Sequence, residues 1–151
     1  MGSKIDPDII DHEDIGEKSA TLKMEHDEAV EYLRKVCKRN GFGIIAEFSP
    51  SEVLNKKVDA DRDPYYVLGA CNAEVANRAL DQTLKIGGIF PCNMVIWEEE
   101  PGVQKVYHVS IMKIARLLGI APDNEEWQEI IDETGNNVSA VFEELQSGES
   151  Y

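Results

Sequence analysis

Hydrophobic residues recur along the chain with two spacings, one typical of helices and the other of strands. Between residues 26 and 39 they fall three and four positions apart, which predicts a helix with one apolar face. That face consists of Ala29, Val30, Leu33, Val36 and Cys37. The same criteria predict strands at 20–24, 43–48, 65–71, 89–97 and 103–109, and further helices at 50–57, 73–83, 111–118, 123–133 and 138–146.

Polar residues and glycines mark where the predicted helices begin and end. Ser49, Asn72 and Ser110 each precede a helix, where a side-chain oxygen can accept a hydrogen bond from the backbone N–H groups of the first turn. Gly41 follows the first helix, and glycine readily adopts the left-handed conformation that ends one. Gly135 and the two asparagines after it predict a break between the last two helices.

The order of these elements predicts an α+β domain. The last two strands are joined by a tight turn at 99–102 and therefore form an antiparallel hairpin. We expect a largely antiparallel sheet of four to five strands, with helices packed on one face and two extra C-terminal helices. One domain covers residues 19–147, after an acidic and disordered tail at 1–18. The expected core residues are Leu33, Val36, Cys37, Ile44, Leu68, Leu80, Val95, Ile114, Leu117 and Phe142.

The charge of the chain is concentrated at its two ends. The 151 residues carry a net charge of −14. Residues 1–31 carry −7 and residues 120–151 carry −9, whereas the residues between them carry +2. Because nucleic-acid binding depends on cations that neutralise phosphates, this composition argues against a nucleic-acid partner. The acidic ends indicate either arms that engage a basic partner or a solvated surface that maintains solubility.

Cysteine content and hydropathy lead us to expect a cytoplasmic protein. Three cysteines in 151 residues are too few for a disulfide framework. No apolar run reaches the roughly 18–20 residues that a membrane-spanning helix needs, and the first residues lack the pattern of a secretory signal. We therefore expect no association with a membrane.

Two Cys-Asn dipeptides are the most distinctive chemical feature of the sequence. Cys71-Asn72 ends one predicted strand, and Cys92-Asn93 lies on another. A thiol just before a helix N-terminus has its pKa lowered by the helix dipole, so Cys71 is a candidate reactive residue. If the two strands pair, they lie about 4.8 Å apart and the two thiols can face each other. The pattern is compatible with buried core cysteines, with a ligand or thiol site, or with a metal site.

Neighbouring polar residues could complete a ligand site around these thiols. Asn72 and Asn93 supply amide donors and acceptors. Arg78, one turn into the helix after Asn72, could hold a carboxylate, a sulfur oxyanion or a phosphate. Its alternative is a surface ion pair with Glu74 or Asp81. The candidate ligand-binding residues are therefore Cys71, Asn72, Arg78, Cys92 and Asn93.

Two features resemble metal sites in part, but neither has all that such a site requires. The acidic run 59–63 starts like a calcium loop, yet Pro64 and Ala70 occupy the positions where that motif needs glycine and glutamate. Cys71, Cys92 and His108 could supply three zinc ligands, but nothing in their spacing brings His108 to the cysteines. We expect neither a metal site nor a cofactor.

The segments around the cysteines resemble the DUF302 family of prokaryotic proteins. The resemblance rests on the stretches GFGIIAE (41–47), DPYYVLGACN (63–72) and FPCNMVI (90–96). It implies a small α+β domain of the TATA-binding-protein-like class that forms homodimers and whose biochemical activity is not established. Ala73 and Ser49 depart from the pattern, because many members have proline and aspartate at these places.

These observations leave three functions open. We favour a homodimeric module that binds a small ligand near the two Cys-Asn dipeptides. The alternatives are a thiol-dependent redox or sulfur-transfer enzyme or carrier that uses Cys71 and Cys92, and an acidic protein-interaction module. A homodimer is also indicated by the predicted helix at 111–118, since six of its eight residues are apolar, more than one buried face needs. The sequence does not decide whether the protein is an enzyme.

Overall fold

The computed structural model describes residues 15–147, and in this part of the chain five strands form a single antiparallel sheet. The strands are Lys18–Leu22 (β1), Gly43–Phe48 (β2), Tyr65–Cys71 (β3), Cys92–Glu100 (β4) and Val103–His108 (β5). Their order is β1-β5-β4-β3-β2, and each neighbouring pair is antiparallel. The edges of the sheet are therefore β1 and β2.

Two of the helices cover one face of this sheet. The helices are His26–Arg39 (α1), Pro50–Val58 (α2), Ala73–Gln82 (α3), Ile111–Leu117 (α4) and Glu125–Ser147 (α5), with a 3₁₀ helix at Leu84–Gly88. The buried faces of α1 and of the C-terminal half of α5 pack against alternate residues of the strands. The predicted α+β class is confirmed.

Local sequence signals place most elements where the pattern predicts them. The bounds of α1, β2 and β3 are the predicted ones. Ser49 accepts a hydrogen bond from the backbone N–H of Glu52, and Ser110 accepts one from that of Lys113. Gly41 has φ of 91°, so it ends α1 in the left-handed region that favours glycine.

The C-terminal helix is continuous, so the predicted break at Gly135 and the prediction of two helices are wrong. α5 runs through Gly135 and the two asparagines without interruption. Ile131 and Val138 on either side of this segment are buried, and so is Thr134 between them. The packing of one long apolar face outweighs the roughly 1 kcal/mol that a glycine costs in a helix interior.

Two strands begin at other residues than predicted. β1 lies two residues earlier, because its pairing with β5 sets Leu22 opposite Gln104. β4 begins at Cys92 and not at residue 89. Pro91 lacks the backbone N–H that a ladder needs, so pairing starts only after it.

Two apolar clusters fill the interior. The first lies between the sheet, α1 and the C-terminal half of α5, and includes Leu33, Leu68 and Phe142. The second lies among α3, α4 and the N-terminal half of α5, and includes Trp127, whose indole N–H donates to the carbonyl of Met112 at 2.9 Å. Because α5 contributes to both clusters, it joins α3 and α4 to the sheet.

Most of the predicted core residues are withdrawn from solvent. Leu33, Val36, Cys37, Leu68 and Phe142 are buried, and Ile44, Val95 and Ile114 are half-buried. Leu80 and Leu117 are 37% and 41% exposed, so their prediction as core residues is wrong. In α3 the buried face is formed by Val75 and Ala79, and Leu80 points about 100° away from Ala79 because each helical residue turns by that angle.

The predicted tail at 1–18 lies outside the described residues except for its last four. Lys18, the last of them, begins β1. Between residues 15 and 147, no helix combines the length and the apolar character needed to cross a bilayer.

Candidate functional site

Cys71 lies at the last position of β3, directly before α3. It pairs with Gly43 of β2 and is half-buried. Burial raises the pKa of its thiol. The direction is opposite to the lowering that the helix end predicts, because loss of solvent around the thiol disfavours the thiolate.

Cys92 lies at the first position of β4, on the strand next to Cys71. It pairs with Ala70 and is buried. Burial raises the pKa of Cys92 to about 12, and the nearby thiol of Cys71 contributes to the rise. Both cysteines are free and line one cavity, so the structure brings the two predicted thiols to one place.

Asn72 connects these strands to α3 in the predicted way. It is the residue before the helix, and its side-chain oxygen accepts a hydrogen bond from the backbone N–H of Val75 at 3.3 Å. This bond leaves the amide NH₂ of Asn72 as a donor. The cap fixes where α3 starts and therefore where Val75 and Ala76 face the thiols.

The cavity beside the thiols is small and almost entirely apolar. Its volume is about 30 Å³, and its wall includes Phe90, Pro91, Val75 and Ala76 in addition to the two cysteines. A water molecule needs roughly 10–15 Å³ of such space. The cavity therefore accepts one or two water molecules or a group of methyl size, and not a whole metabolite.

A larger polar pocket adjoins the apolar cavity. It has a volume of about 500 Å³ and shares Asn72 and Val75 with the cavity. Three further asparagines, Asn77, Asn136 and Asn137, line it. Among residues 15–147, no hydrogen bond occupies the side-chain amides of these three. The pocket thus offers several amide donors and acceptors beside a small apolar recess.

Arg78 lines the polar pocket but is engaged by α5. Its guanidinium donates to Glu126 at 3.0 Å, lies 3.5 Å from Glu129 and also pairs with Glu133. These partners replace both predicted interpretations, the bound anion and the ion pair within α3. Carboxylates 48 to 55 positions away along the chain could not be found from helical spacing.

Asn93 does not belong to this site. Its side chain is exposed and lines neither the apolar cavity nor the polar pocket. Its backbone carbonyl accepts a hydrogen bond from Nδ1 of His108 at 2.8 Å. The structure therefore brings together Cys71, Asn72, Cys92 and Arg78, but not Asn93.

Sequence reasoning set His108 aside as a partner of the cysteines, whereas the structure brings it to the same face of the sheet as Cys92. The register that pairs Val95 with Tyr107 places Met94 opposite His108, so His108 and Cys92 lie on the same face of neighbouring strands. The hairpin predicted at 99–102 makes β4 and β5 neighbours, but the face on which His108 lies depends on a bulge beside the turn. Within the described part of the chain, however, no three histidine, cysteine, aspartate or glutamate side chains form a cluster that could hold a metal ion.

The fold is that of a small α+β domain. Cys71, Asn72 and Cys92 line an apolar cavity that adjoins a polar pocket. Residues 18–145 match the family model described as a domain of unknown function, DUF302. The chain belongs to the DUF302 family, which confirms the resemblance in the sequence. Membership leaves the biochemical activity open, since the family is one of unknown function.

A solved structure supports the same fold. The crystal structure of an uncharacterized conserved DUF302 protein from Bacillus stearothermophilus superposes with a TM-score of 0.73 at 23% sequence identity. The match covers 85% of this chain and 97% of that one. No curated protein matches this chain.

Proposed function

We propose that this protein is a cytoplasmic, homodimeric module that binds a small uncharged ligand across the two adjoining cavities. The observation that carries the proposal is that the apolar recess at Cys71 and Cys92 and the asparagine-lined pocket share Asn72 and Val75. A ligand that lies across this shared wall contacts both environments at once. Three free cysteines suit the reducing conditions of the cytoplasm.

The lining defines the chemistry of the ligand. A methyl-sized group fits the recess of about 30 Å³, where it would contact Phe90 and Ala76. A carboxamide or similar head group, with one donor and one acceptor, would pair with the amides of Asn77 and Asn137. Few polar groups placed beside an apolar wall are typical of small-molecule sites.

The charges around the pocket argue against an anionic ligand. Arg78 is the cation of this pocket, and three carboxylates of α5 already hold it. An anionic ligand would have to displace these carboxylates. Glu74 and Glu133 on the wall leave the pocket acidic, so the choice of a neutral ligand over a cation rests on the asparagine amides.

The structure gives less support to thiol chemistry. Both Cys71 and Cys92 have a raised pKa, whereas a nucleophilic cysteine needs a lowered one. The third function, an acidic interaction module, is weakened because several carboxylates of α5 bind arginines of the same chain. Glu126, Glu129 and Glu133 bind Arg78, and Glu144 binds Arg39.

A substitution that fills the recess tests the proposal. Ala76→Leu adds three carbons at a residue that lines the cavity, whereas Ala73→Leu makes the same change at an exposed residue of the same helix. Native mass spectrometry of the three purified proteins should show a bound small molecule on the wild type and on Ala73→Leu, but not on Ala76→Leu. Bare protein in all three samples, or the same adduct on Ala76→Leu, would contradict the proposal.

The proposed homodimer is supported by an apolar surface at the edge of the sheet. Of the nine large hydrophobic residues that are exposed between residues 15 and 147, five lie between residues 45 and 58, on β2 and α2: Ile45, Phe48, Val53, Leu54 and Val58. β2 is also an edge strand with unpaired backbone groups. A second copy of this chain would cover both features. The helix α4, which suggested a dimer in the sequence, buries Ile111, Met112 and Ala115 within its own chain.

The mass of the protein in solution tests the dimer. Phe48→Glu places a charge in the apolar surface, and Leu84→Glu places one at a residue that is 83% exposed elsewhere. Light scattering at micromolar concentration should give a dimer for the wild type and for Leu84→Glu, and a monomer for Phe48→Glu. A monomeric wild type would overturn the dimer, and a dimeric Phe48→Glu would overturn its placement on β2 and α2.

A further inference from the structure

His108 is a buried histidine with one ring nitrogen that lacks a partner. It lies on the sheet face that the helices cover and is 1% exposed. Its Nδ1 lies 2.8 Å from the carbonyl oxygen of Asn93. A carbonyl only accepts hydrogen bonds, so Nδ1 carries the proton and Nε2 is an acceptor. Among residues 15–147, no donor reaches Nε2.

A cavity of about 200 Å³ adjoins this ring. It is lined by His108, by Lys18 and Ser110 from the sheet side, and by Gly135 and Ser139 of α5. A cavity of this size is below the roughly 300 Å³ at which sites for drug-sized molecules begin, so it suits a molecule of a few carbons. It is a different site from the pocket at the cysteines, and Thr134 lines both.

We propose that this cavity binds a small hydroxycarboxylate, whose hydroxyl donates a hydrogen bond to Nε2 of His108 and whose carboxylate lies beside Lys18 and Lys113. The buried acceptor supplies the first contact, because an acceptor removed from water is costly unless a donor reaches it. The charges on the wall supply the second, since two lysines and one aspartate, Asp132, line the cavity. This proposal does not depend on the ligand site at the cysteines.

The protonation state of the ring agrees with this role. Burial lowers the pKa of His108. The ring is therefore neutral under physiological conditions and presents a lone pair at Nε2. A hydroxyl can satisfy that lone pair, whereas an ether or a carboxylate oxygen cannot.

Lactate and propionate form a matched pair of probes, because they share a carbon skeleton and a carboxylate and differ in one hydroxyl. In isotope-labelled protein, lactate should shift the Nε2 resonance of His108 saturably. Propionate should bind about five- to tenfold more weakly, as expected for the loss of one hydrogen bond to a buried group. No saturable shift with lactate, or equal affinity for the two acids, would overturn the proposal.

A variant of α5 separates binding in the cavity from a general effect of the salt. Gly135 lines the cavity, and a Cβ added there meets no atom within 4 Å, so Gly135→Leu introduces a bulky side chain at the cavity wall without a clash at its Cβ. Gly87→Leu makes the same addition at an exposed glycine of the 3₁₀ helix, where an added Cβ also meets no atom within 4 Å. Lactate should no longer shift the Nε2 signal in Gly135→Leu and should do so normally in Gly87→Leu. An unchanged response in Gly135→Leu would show that lactate acts elsewhere.

Discussion

The three cysteines of this protein differ in their access to solvent. Burial raises the pKa of Cys37 and of Cys92 to about 12, and it also raises the pKa of the half-buried Cys71. Thiolates are the reactive form of cysteine, so all three thiols are poor nucleophiles at neutral pH. Their place in the structure thus fits contact with a ligand better than attack on one.

Alkylation measures this difference directly. With iodoacetamide at neutral pH, we expect slow modification of Cys71 and almost none of Cys37 and Cys92 until the protein unfolds, because burial suppresses both the thiolate and the approach of the reagent. Peptide mass spectrometry over time, with free cysteine as the reference, gives the three rates. Modification of Cys92 in the folded protein at the rate of free cysteine would contradict its assignment as a buried thiol with a raised pKa.

His108 makes the stability of the fold depend on pH. Its folded pKa lies below the ordinary value of 6.5, so the unfolded chain binds a proton at a higher pH than the folded one. The contribution of neutral His108 to the stability of the fold is complete above pH 6.5 and is lost as the pH falls below that value. Lys18, Lys113 and Asp132 line the cavity beside the ring.

Urea unfolding at several pH values tests this sign. The free energy of unfolding should fall between about pH 7.5 and 5.5 in the wild type, and the fall should be smaller in His108→Gln, which has no group that titrates there. The slopes are compared between the two proteins because other groups contribute equally to both. Equal slopes would show that His108 is not buried in its neutral form.

Residue types and local spacing reveal only part of the site. The cap at Asn72 and the shared location of Cys71 and Cys92 follow from one strand, one helix and one repeated dipeptide. The partners of Arg78 lie on α5, far along the chain, so helical spacing points to the wrong carboxylates. The pKa of Cys71 depends on the burial that the tertiary fold creates, and a helix end alone gives the wrong direction.

At the scale of elements, a bulge explains why His108 escaped prediction. The hairpin pairs Glu100 with Val103 next to the turn, but Glu98 with Gln104 beyond it, so one residue of β4 is skipped. If residue pairs are counted from the turn as though there were no bulge, His108 falls opposite Val95. Its side chain would then lie on the sheet face opposite to that of Cys92. A shift of one residue moves every side chain of a strand to the other side of the sheet. Bulges of this kind are set by the packing of the whole hairpin and leave little trace in the sequence.

The close approach of Pro91 to β3 sets the start of β4 and thereby the position of Cys92. A Cβ added to Gly69 would lie 2.7 Å from Cγ of Pro91 and 3.1 Å from the carbonyl oxygen of Ala46. At Gly43, which is also in the sheet, an added Cβ meets only the carbonyl oxygen of Cys71 at 3.7 Å. The sheet therefore needs glycine at residue 69 and tolerates a side chain at residue 43.

Substitution by alanine tests this need. Gly69→Ala should destabilise the protein by about 1–3 kcal/mol, the usual cost of overpacking, whereas Gly43→Ala should change its stability by less than about 1 kcal/mol. Thermal or urea unfolding of both variants gives the two values. If Gly69→Ala were as stable as Gly43→Ala, Pro91 would not pack against β3 as described.

At the scale of the whole molecule, α5 organises both proposed sites. Its continuous buried face holds the sheet on one side and α3 with α4 on the other. Thr134 near its middle lines the cavity at the cysteines and the cavity at His108. The sequence predicted the α+β class, but the apparent break at Gly135 concealed the one helix that joins the two clusters. A glycine signals a helix end only where packing does not compensate its cost.

Titration of isotope-labelled protein with acetamide tests most directly whether the paired cavities bind a ligand. Acetamide carries the methyl group and the carboxamide that the two cavities are proposed to recognise. We predict saturable shifts of the signals of Asn72, Val75 and Cys92 in the wild type and in Ala73→Leu, and their loss in Ala76→Leu. Shifts that spare these three residues, or that persist in Ala76→Leu, would contradict the proposed site.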